Sequence, residues 1–283
     1  MKKTMRITPT RGFMQMASGV VYKQVPSWYG GDNRALTMNI IRRPSDSPAP
    51  LIVYVIGGSW QEVSKAVGVP DLVYLVEAGF TVASIEYRPI EKGLFPAQIE
   101  DVKAAIRYLR ANAERWNIDP EHVGIMGDSA GGHLAALAGA TNLTREFDVG
   151  DNLQESSAVD AVCDWFGPAD FTVEYSGSGE LNAPESLLIG ASVTHDTEKA
   201  LYASPVNYVS PQTPPFLIIH GLRDGLVPFE QSEILYQKLI KNGVEADLVG
   251  IEDADHGDPR FATPIVRKEI LSFFEKNLKG KVL

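Results

Sequence analysis

Gly127-Asp128-Ser129-Ala130-Gly131 follows the apolar run Val123 to Met126 and precedes a helix-forming run from His133 to Ala140. A strand that turns sharply into a helix pushes the side chain at the turn away from the backbone, and here that side chain is a serine. Side chains at Gly127 and Gly131 are expected to collide as strand and helix close up, so glycine at both flanks permits the turn. Five residues of this pattern occur by chance. Strand, motif and helix in this order read as a nucleophile elbow carrying Ser129.

Such a serine needs a base, and an imidazole with a pKa near neutrality both takes the hydroxyl proton and returns it to a leaving group. Five histidines compete. His256 follows a predicted strand, Ala246 to Ile251, in the loop Glu252-Asp253-Ala254-Asp255-His256-Gly257, from which its ring can swing toward the elbow. His122 sits in a polar approach to a strand, His195 in a long insertion and His220 at a strand end, all read as structural or solvated. His133, four residues beyond Ser129, continues along its helix and does not reach over the hydroxyl. An acid must orient the base, and Asp224 stands in the turn after the predicted strand Phe216 to His220. Glu252, Asp253 and Asp255 precede the histidine too closely to reach the far ring nitrogen and read as solvated loop acids.

Attack on an acyl carbon creates an oxyanion, which fixed backbone N–H groups stabilise. The N–H of Ala130, at the positive end of the elbow helix, is one source. The turn Gly57-Gly58-Ser59-Trp60 after the run Leu51 to Ile56 is the other, with Gly58 and Ser59 as donors. Trp60, Trp165 and Val227 are the residues expected to line the substrate pocket. Asp128 reads as a hydrogen-bonding acid beside the serine, Arg88 as half of an ion pair behind the oxyanion turn, and Cys163 as a core residue.

Beyond the elbow, strand-like runs at Val20–Lys23, Leu36–Ile41, Leu51–Ile56, Thr81–Ile85, Val123–Met126, Ala158–Cys163, Phe216–His220 and Ala246–Ile251 alternate with helical runs at Asp71–Ala78, Ala97–Ala113, Phe229–Asn242 and Pro264–Leu278. Leu51 to Ile56 is apolar throughout, as a strand buried on both faces must be. Alternation of this kind implies an α/β fold, a parallel sheet with helices on both faces. The whole chain is read as one domain, 1–283, with residues 1–18 an N-terminal arm. Residues 165–209 are too long for a simple loop and read as a small cap insertion over the catalytic face.

Acidic residues outnumber basic ones by 36 to 26, a net charge of −10, so a phosphate backbone meets repulsion and nucleic acid is not an expected partner. A single cysteine excludes an internal disulfide and fits a cytoplasmic location, although an exported protein without disulfides reads the same way. After Met1-Lys2-Lys3, Arg6, Thr8, Pro9 and Arg11 interrupt the stretch where the apolar region of an export signal would have to follow, so none is expected. No run approaches the roughly 18 apolar residues of a membrane span, so no membrane association is expected. Asp255-His256 lacks further ligands at metal spacing, so no metal is expected. Both a monomer and a homodimer are compatible with the chain.

From about Val20 onward the sequence resembles the α/β-hydrolase carboxylesterases of the hormone-sensitive-lipase-like and feruloyl-esterase-like (BD-FAE) group. The likeness rests on Gly57-Gly58-Ser59-Trp60, Glu86-Tyr87-Arg88-Pro89, Phe95 to Val102, Gly127 to His133, Asp164-Trp165-Phe166-Gly167-Pro168, Ser204-Pro205-Val206 and Pro215 to Gly221. The resemblance implies an α/β-hydrolase fold with a mostly parallel eight-stranded sheet, no cofactor, and small-molecule ester substrates of short-chain acyl or acetylated-sugar type. The chain order Ser129, Asp224, His256 agrees with that fold. Two departures stand out: Ile56 replaces the histidine that usually opens the oxyanion turn, and Ser59 replaces a third glycine, where a positive φ costs more. The expected activity is that of a serine carboxylesterase. An arylformamidase-type amidase and a non-catalytic binding protein of the same fold are the alternatives.

Overall fold

The computed structural model describes residues 1–8, 12–27, 30–173, 175, 177 and 179–280. In chain order its elements are β1 (Gln15–Pro26), β2 (Asn33–Arg42), β3 (Ala49–Val55), α1 (Val69–Glu77), β4 (Thr81–Ile85), α2 (Ala97–Ala111), α3 (Ala113–Trp116), β5 (Ile118–Asp128), α4 (Ala130–Ala140), β6 (Ala161–Trp165), α5 (Pro184–Ile189), α6 (Thr197–Ala203), β7 (Phe216–Gly221), α7 (Glu230–Lys241), β8 (Ala246–Ile251) and α8 (Pro264–Leu278). The strands form one eight-stranded sheet in the order β1-β2-β4-β3-β5-β6-β7-β8. β2 runs antiparallel to β1 and β4, and β3 to β8 are parallel. This is the α/β-hydrolase fold.

Alternation within each apolar strand divides the interior in two. Leu51, Val53 and Val55 of β3 face a core shared with α2, α4 and α7, whereas Ile52 and Tyr54 face one shared with α1 and α8. β7 splits in the same way, Phe216 and Ile218 to the first core and Leu217 and Ile219 to the second. A uniformly apolar strand is therefore what two covered faces require. α4 is buried at every position, and its Ala and Gly residues let it lie close against the sheet.

The path of the chain places the site. From β3 the chain crosses through α1 to β4 on one side, then through α2 to β5 on the other side of β3. Helices on opposite faces leave a crevice at the carboxyl ends of β3 and β5, the position where ligands bind in open α/β sheets. Val55 pairs with Gly127, so the turn after β3 and the elbow after β5 leave the sheet side by side.

Three boundaries differ from the sequence reading. The N-terminal arm is shorter than residues 1–18, because the strand expected at Val20–Lys23 is part of a longer β1 that begins at Gln15; register shifts at Ala17/Val20 and Val21/Lys23 break its alternation and hide its start. The helix expected over Ala97–Ala113 is interrupted at Asn112, whose side-chain amide donates to the Tyr108 carbonyl. Trp165 ends β6 instead of opening the insertion, which carries α5 and α6. Among the described residues no helix is long and apolar enough to cross a membrane.

Candidate active site

Ser129 sits between β5 and α4 with φ 52° and ψ −121°, a conformation an L-residue holds only when its surroundings impose it. A Cβ at Gly127 would lie 2.2 Å from the Gly131 carbonyl oxygen, and one at Gly131 would lie 2.0 Å from that of Val55. Glycine is thus required at both flanks. The Ser129 N–H donates to the Trp165 carbonyl at 2.8 Å, which ties the elbow to β6.

The loops after β7 and β8 bring two further side chains to this serine. His256 Nε2 lies 2.9 Å from Ser129 Oγ, and His256 Nδ1 lies 2.7 Å from Asp224 Oδ2. A carboxylate only accepts, so Nδ1 carries the proton and Nε2 keeps the lone pair that faces the serine hydroxyl. Asp224 Oδ1 accepts from the N–H groups of Leu226 at 2.9 Å and Val227 at 2.8 Å, and its side chain is shielded from solvent. Burial works to raise the Asp224 pKa, but contacts with His220 and His256 and the Val227 N–H outweigh it and hold the carboxyl well below the usual range. His220, read from sequence as structural, is fully buried with Nε2 2.9 Å from the Val227 carbonyl and 3.2 Å from Asp224 Oδ2.

Of the rival acids, Asp255 holds the loop: its Oδ1 accepts from the N–H groups of Gly225 at 3.0 Å and His256 at 2.8 Å. Asp253 pairs with Arg223 at 2.5 Å. The Phe166 ring meets the His256 ring edge-on at a centroid distance of 4.7 Å. A phenylalanine one residue past a strand end, with φ 43°, carries no signal in the sequence that it packs on His256.

In the turn after β3, Gly58, Ser59 and Trp60 take φ of 112°, 54° and 57°. A Cβ at Gly58 would lie 2.0 Å from the Glu62 carbonyl oxygen. Ser59 and Trp60 pay about 1–2 kcal/mol each for the left-handed region. Among the hydrogen bonds of the described residues, none uses the N–H of Gly58, Ser59 or Ala130 as donor. Asp128 braces this turn, since its Oδ1 accepts from Tyr54 Oη at 2.6 Å and from the Gly57 N–H at 3.1 Å. Burial raises the Asp128 pKa against those bonds.

Ser59, Trp60, Ser129, Ala130 and Val227 line one cleft with about 160 Å³ of water-accessible space, to which Pro168, Tyr175, Glu180, Asn182 and Glu185 of the insertion also contribute. Trp165 does not line it, contrary to the sequence reading. Its ring packs on Phe261 and Phe166 at 5.4 and 6.4 Å, because the end of β6 turns that side chain toward the core shared with α8. Arg88 is bound by Asp101 at 2.7 Å and Glu100 at 2.9 Å, and Cys163 is buried. Among the described residues no group of three or more His, Cys, Asp or Glu is placed to hold a metal ion.

The profile of the BD-FAE family matches residues 38–239, a span that runs from β2 through the elbow to α7. The chain belongs to the BD-FAE family. Among relatives of this BD-FAE protein, the esterase LipC of Mycobacterium tuberculosis (strain ATCC 25618 / H37Rv) is 32% identical over 235 residues, 80% of this chain and 58% of LipC. The probable carboxylic ester hydrolase LipM of the same organism is 32% identical over 210 residues, 72% of this chain and 48% of LipM. The chain spans about half the length of the curated relatives it matches. A truncated form of a carbohydrate esterase from gut microbiota superposes with a TM-score of 0.84 at 31% identity, covering 96% of this chain and 99% of that one. The thermophilic esterase Est2 of Thermogutta terrifontis superposes with a TM-score of 0.74 at 25% identity, covering 96% and 94%.

Below the elbow of this BD-FAE chain lies Asp164, with its side chain fully buried. Its Oδ1 accepts from the Gly167 N–H at 3.0 Å, while Oδ2 has no hydrogen-bond partner. Burial pushes its pKa up to about 7. A folded-state pKa above the unfolded one means that the native chain holds a proton the unfolded chain has released. Stability is therefore lost as pH rises from about 4 to 7, by something on the order of 4 kcal/mol. Asp164→Asn is expected to flatten this decline: thermal melts at pH 5 and pH 8 should differ less for the variant than for the native chain. Equal differences would contradict the account.

Proposed function

We propose that this protein is a serine carboxylesterase acting on short-chain acyl esters, including acetylated sugars. The observation that carries the reading is the His256 imidazole, 2.9 Å from Ser129 Oγ on one nitrogen and 2.7 Å from Asp224 on the other. Ser129 Oγ attacks the ester carbonyl carbon while its proton passes to His256 Nε2. The carbonyl oxygen takes up the negative charge facing the N–H groups of Ala130, Gly58 and Ser59, each such donor being worth about 3–4 kcal/mol in comparable sites. Collapse breaks the bond to the alcohol, which leaves with the proton from His256. A water then gives a proton to His256 and attacks the acyl-enzyme, releasing the acid and restoring Ser129. Asp224 keeps the imidazole in the tautomer that accepts at Nε2 and stabilises its positive charge.

The substrate class rests on the cleft. Its 160 Å³ is well below the roughly 300 Å³ at which sites for drug-sized ligands begin. This favours a small acyl group. The insertion wall offers the carboxylates of Glu180 and Glu185, the Asn182 amide and the Tyr175 hydroxyl, which donates to Glu185 at 2.8 Å. Such groups suit an alcohol rich in hydroxyls, and the gut-microbiota neighbour bears the name carbohydrate esterase. Across p-nitrophenyl esters from acetate to decanoate, kcat/KM is expected to peak at two to about four carbons. A maximum at decanoate would contradict the small acyl site. In a parallel assay, higher kcat/KM on N-formylkynurenine than on p-nitrophenyl acetate would assign the chain to amide cleavage.

A further inference from the structure

The turn that offers Gly58 and Ser59 N–H groups holds two L-residues, Ser59 and Trp60, at φ of 54° and 57°. Something must keep it there. Backbone bonds account for part: the Gly58 carbonyl accepts from Gln61 at 2.9 Å and Glu62 at 3.0 Å, and the Trp60 carbonyl accepts from Ile90 at 2.9 Å. The rest comes from the Trp60 side chain, which is 2% exposed. Its indole Nε1–H donates to His133 Nδ1 at 3.2 Å, and its ring stands edge-on to those of His133 and Phe171, at 5.2 and 5.8 Å.

His133 is suited to that bond. Its Nε2 lies 2.7 Å from the carbonyl of Ala203, the last residue of α6 in the insertion. A carbonyl only accepts, so the proton sits on Nε2 and the lone pair on Nδ1, where the indole donates. One neutral tautomer satisfies both partners. Burial depresses the His133 pKa to about 4 and keeps the ring neutral. Phe171 stacks on the ring at 5.0 Å and 24°.

The consequence is one of registration. α4 carries both Ala130, whose N–H is one oxyanion donor, and His133, one turn further on, whose own N–H donates to the Ser129 carbonyl at 2.9 Å. A turn pinned to His133 is thereby pinned relative to Ala130. We propose that His133, acting through Trp60, is a positioning residue that holds the N–H groups of the strained β3 turn in register with that of Ala130, so that the oxyanion site is formed before substrate arrives. The Ala203 carbonyl makes the insertion part of this device. The inference rests on the esterase reading above.

Two substitutions separate the two faces of the imidazole. Asn at position 133 keeps an acceptor at the level of Nδ1 for the indole and loses the donor to Ala203. Gln places its amide at the level of Nε2, keeping the donor to Ala203 and losing the acceptor for Trp60. Trp60→Phe removes the indole N–H and retains a ring. On p-nitrophenyl acetate, Trp60→Phe and His133→Gln are expected to lower kcat by about 10- to 100-fold, the scale set by small misplacements of catalytic groups, with KM within about twofold. His133→Asn is expected to stay within about threefold of the native kcat, because the contact that sets the turn is kept. A merely structural role lowers melting temperatures without this ordering of kcat. Native kcat in both Trp60→Phe and His133→Gln would overturn the proposal, as would equal losses in His133→Asn and His133→Gln. Ser129→Ala assayed alongside distinguishes the two failures: retained turnover there refutes the esterase reading itself, whereas its loss beside a native-like Trp60→Phe refutes only the positioning role.

Discussion

Ser129→Ala is expected to lower kcat on p-nitrophenyl acetate by about 10⁶-fold, down to the level that binding and the oxyanion donors supply alone. In the proposed mechanism the hydroxyl oxygen forms the bond to the acyl carbon, so no neighbour substitutes for it. The fold should survive. The substitution removes one oxygen whose hydrogen bond goes to His256, and alanine at φ 52° is no more strained than serine. Steady-state rates with thermal melts on the same samples check both halves. A rate within about tenfold of native, with the fold intact, would remove Ser129 from the mechanism.

Asp224→Asn should cost about 10⁴-fold in kcat with little change in KM, for a reason visible in the hydrogen bonds. Oδ1 receives the N–H groups of Leu226 and Val227, so an asparagine must keep its oxygen there. The amide nitrogen then falls at the Oδ2 position and points its hydrogens at His256 Nδ1 and His220 Nε2. His256 can meet a donor only by moving its own proton to Nε2, which leaves no lone pair facing Ser129. Steady-state kinetics at pH 7 to 8 tests this. Loss of less than about tenfold would mean that Asp224 does not set the tautomer.

The elbow was legible because its glycines are forced by contacts of 2.0 and 2.2 Å that no other residue satisfies. The placement of Asp224 and His256 beside Ser129 was legible because a parallel sheet delivers the residues after β7 and β8 to the same end as those after β5. Ser59 was recognised as a costly choice for a positive φ, and the turn does hold it at 54°. What could not be read depends on which way a side chain leaves a strand end. Trp60 and Trp165 both lie near a strand's carboxyl end, one in the turn after β3 and the other as the last residue of β6, yet one lines the cleft and the other packs on Phe261. The bond from Trp60 to His133 joins residues 73 positions apart, and no local pattern encodes it. Of β1 only Val20–Lys23 was legible, because bulges and exposed residues erase the alternation that marks a longer strand.

The most direct test of the central claim, that His256 and Asp224 activate Ser129 as a nucleophile, is mass spectrometry of the native chain after treatment with a fluorophosphonate. One adduct per chain, mapped to the peptide containing Ser129 and absent from His256→Ala, is the result this arrangement predicts. An unmodified protein, or labelling that persists unchanged without His256, would contradict it.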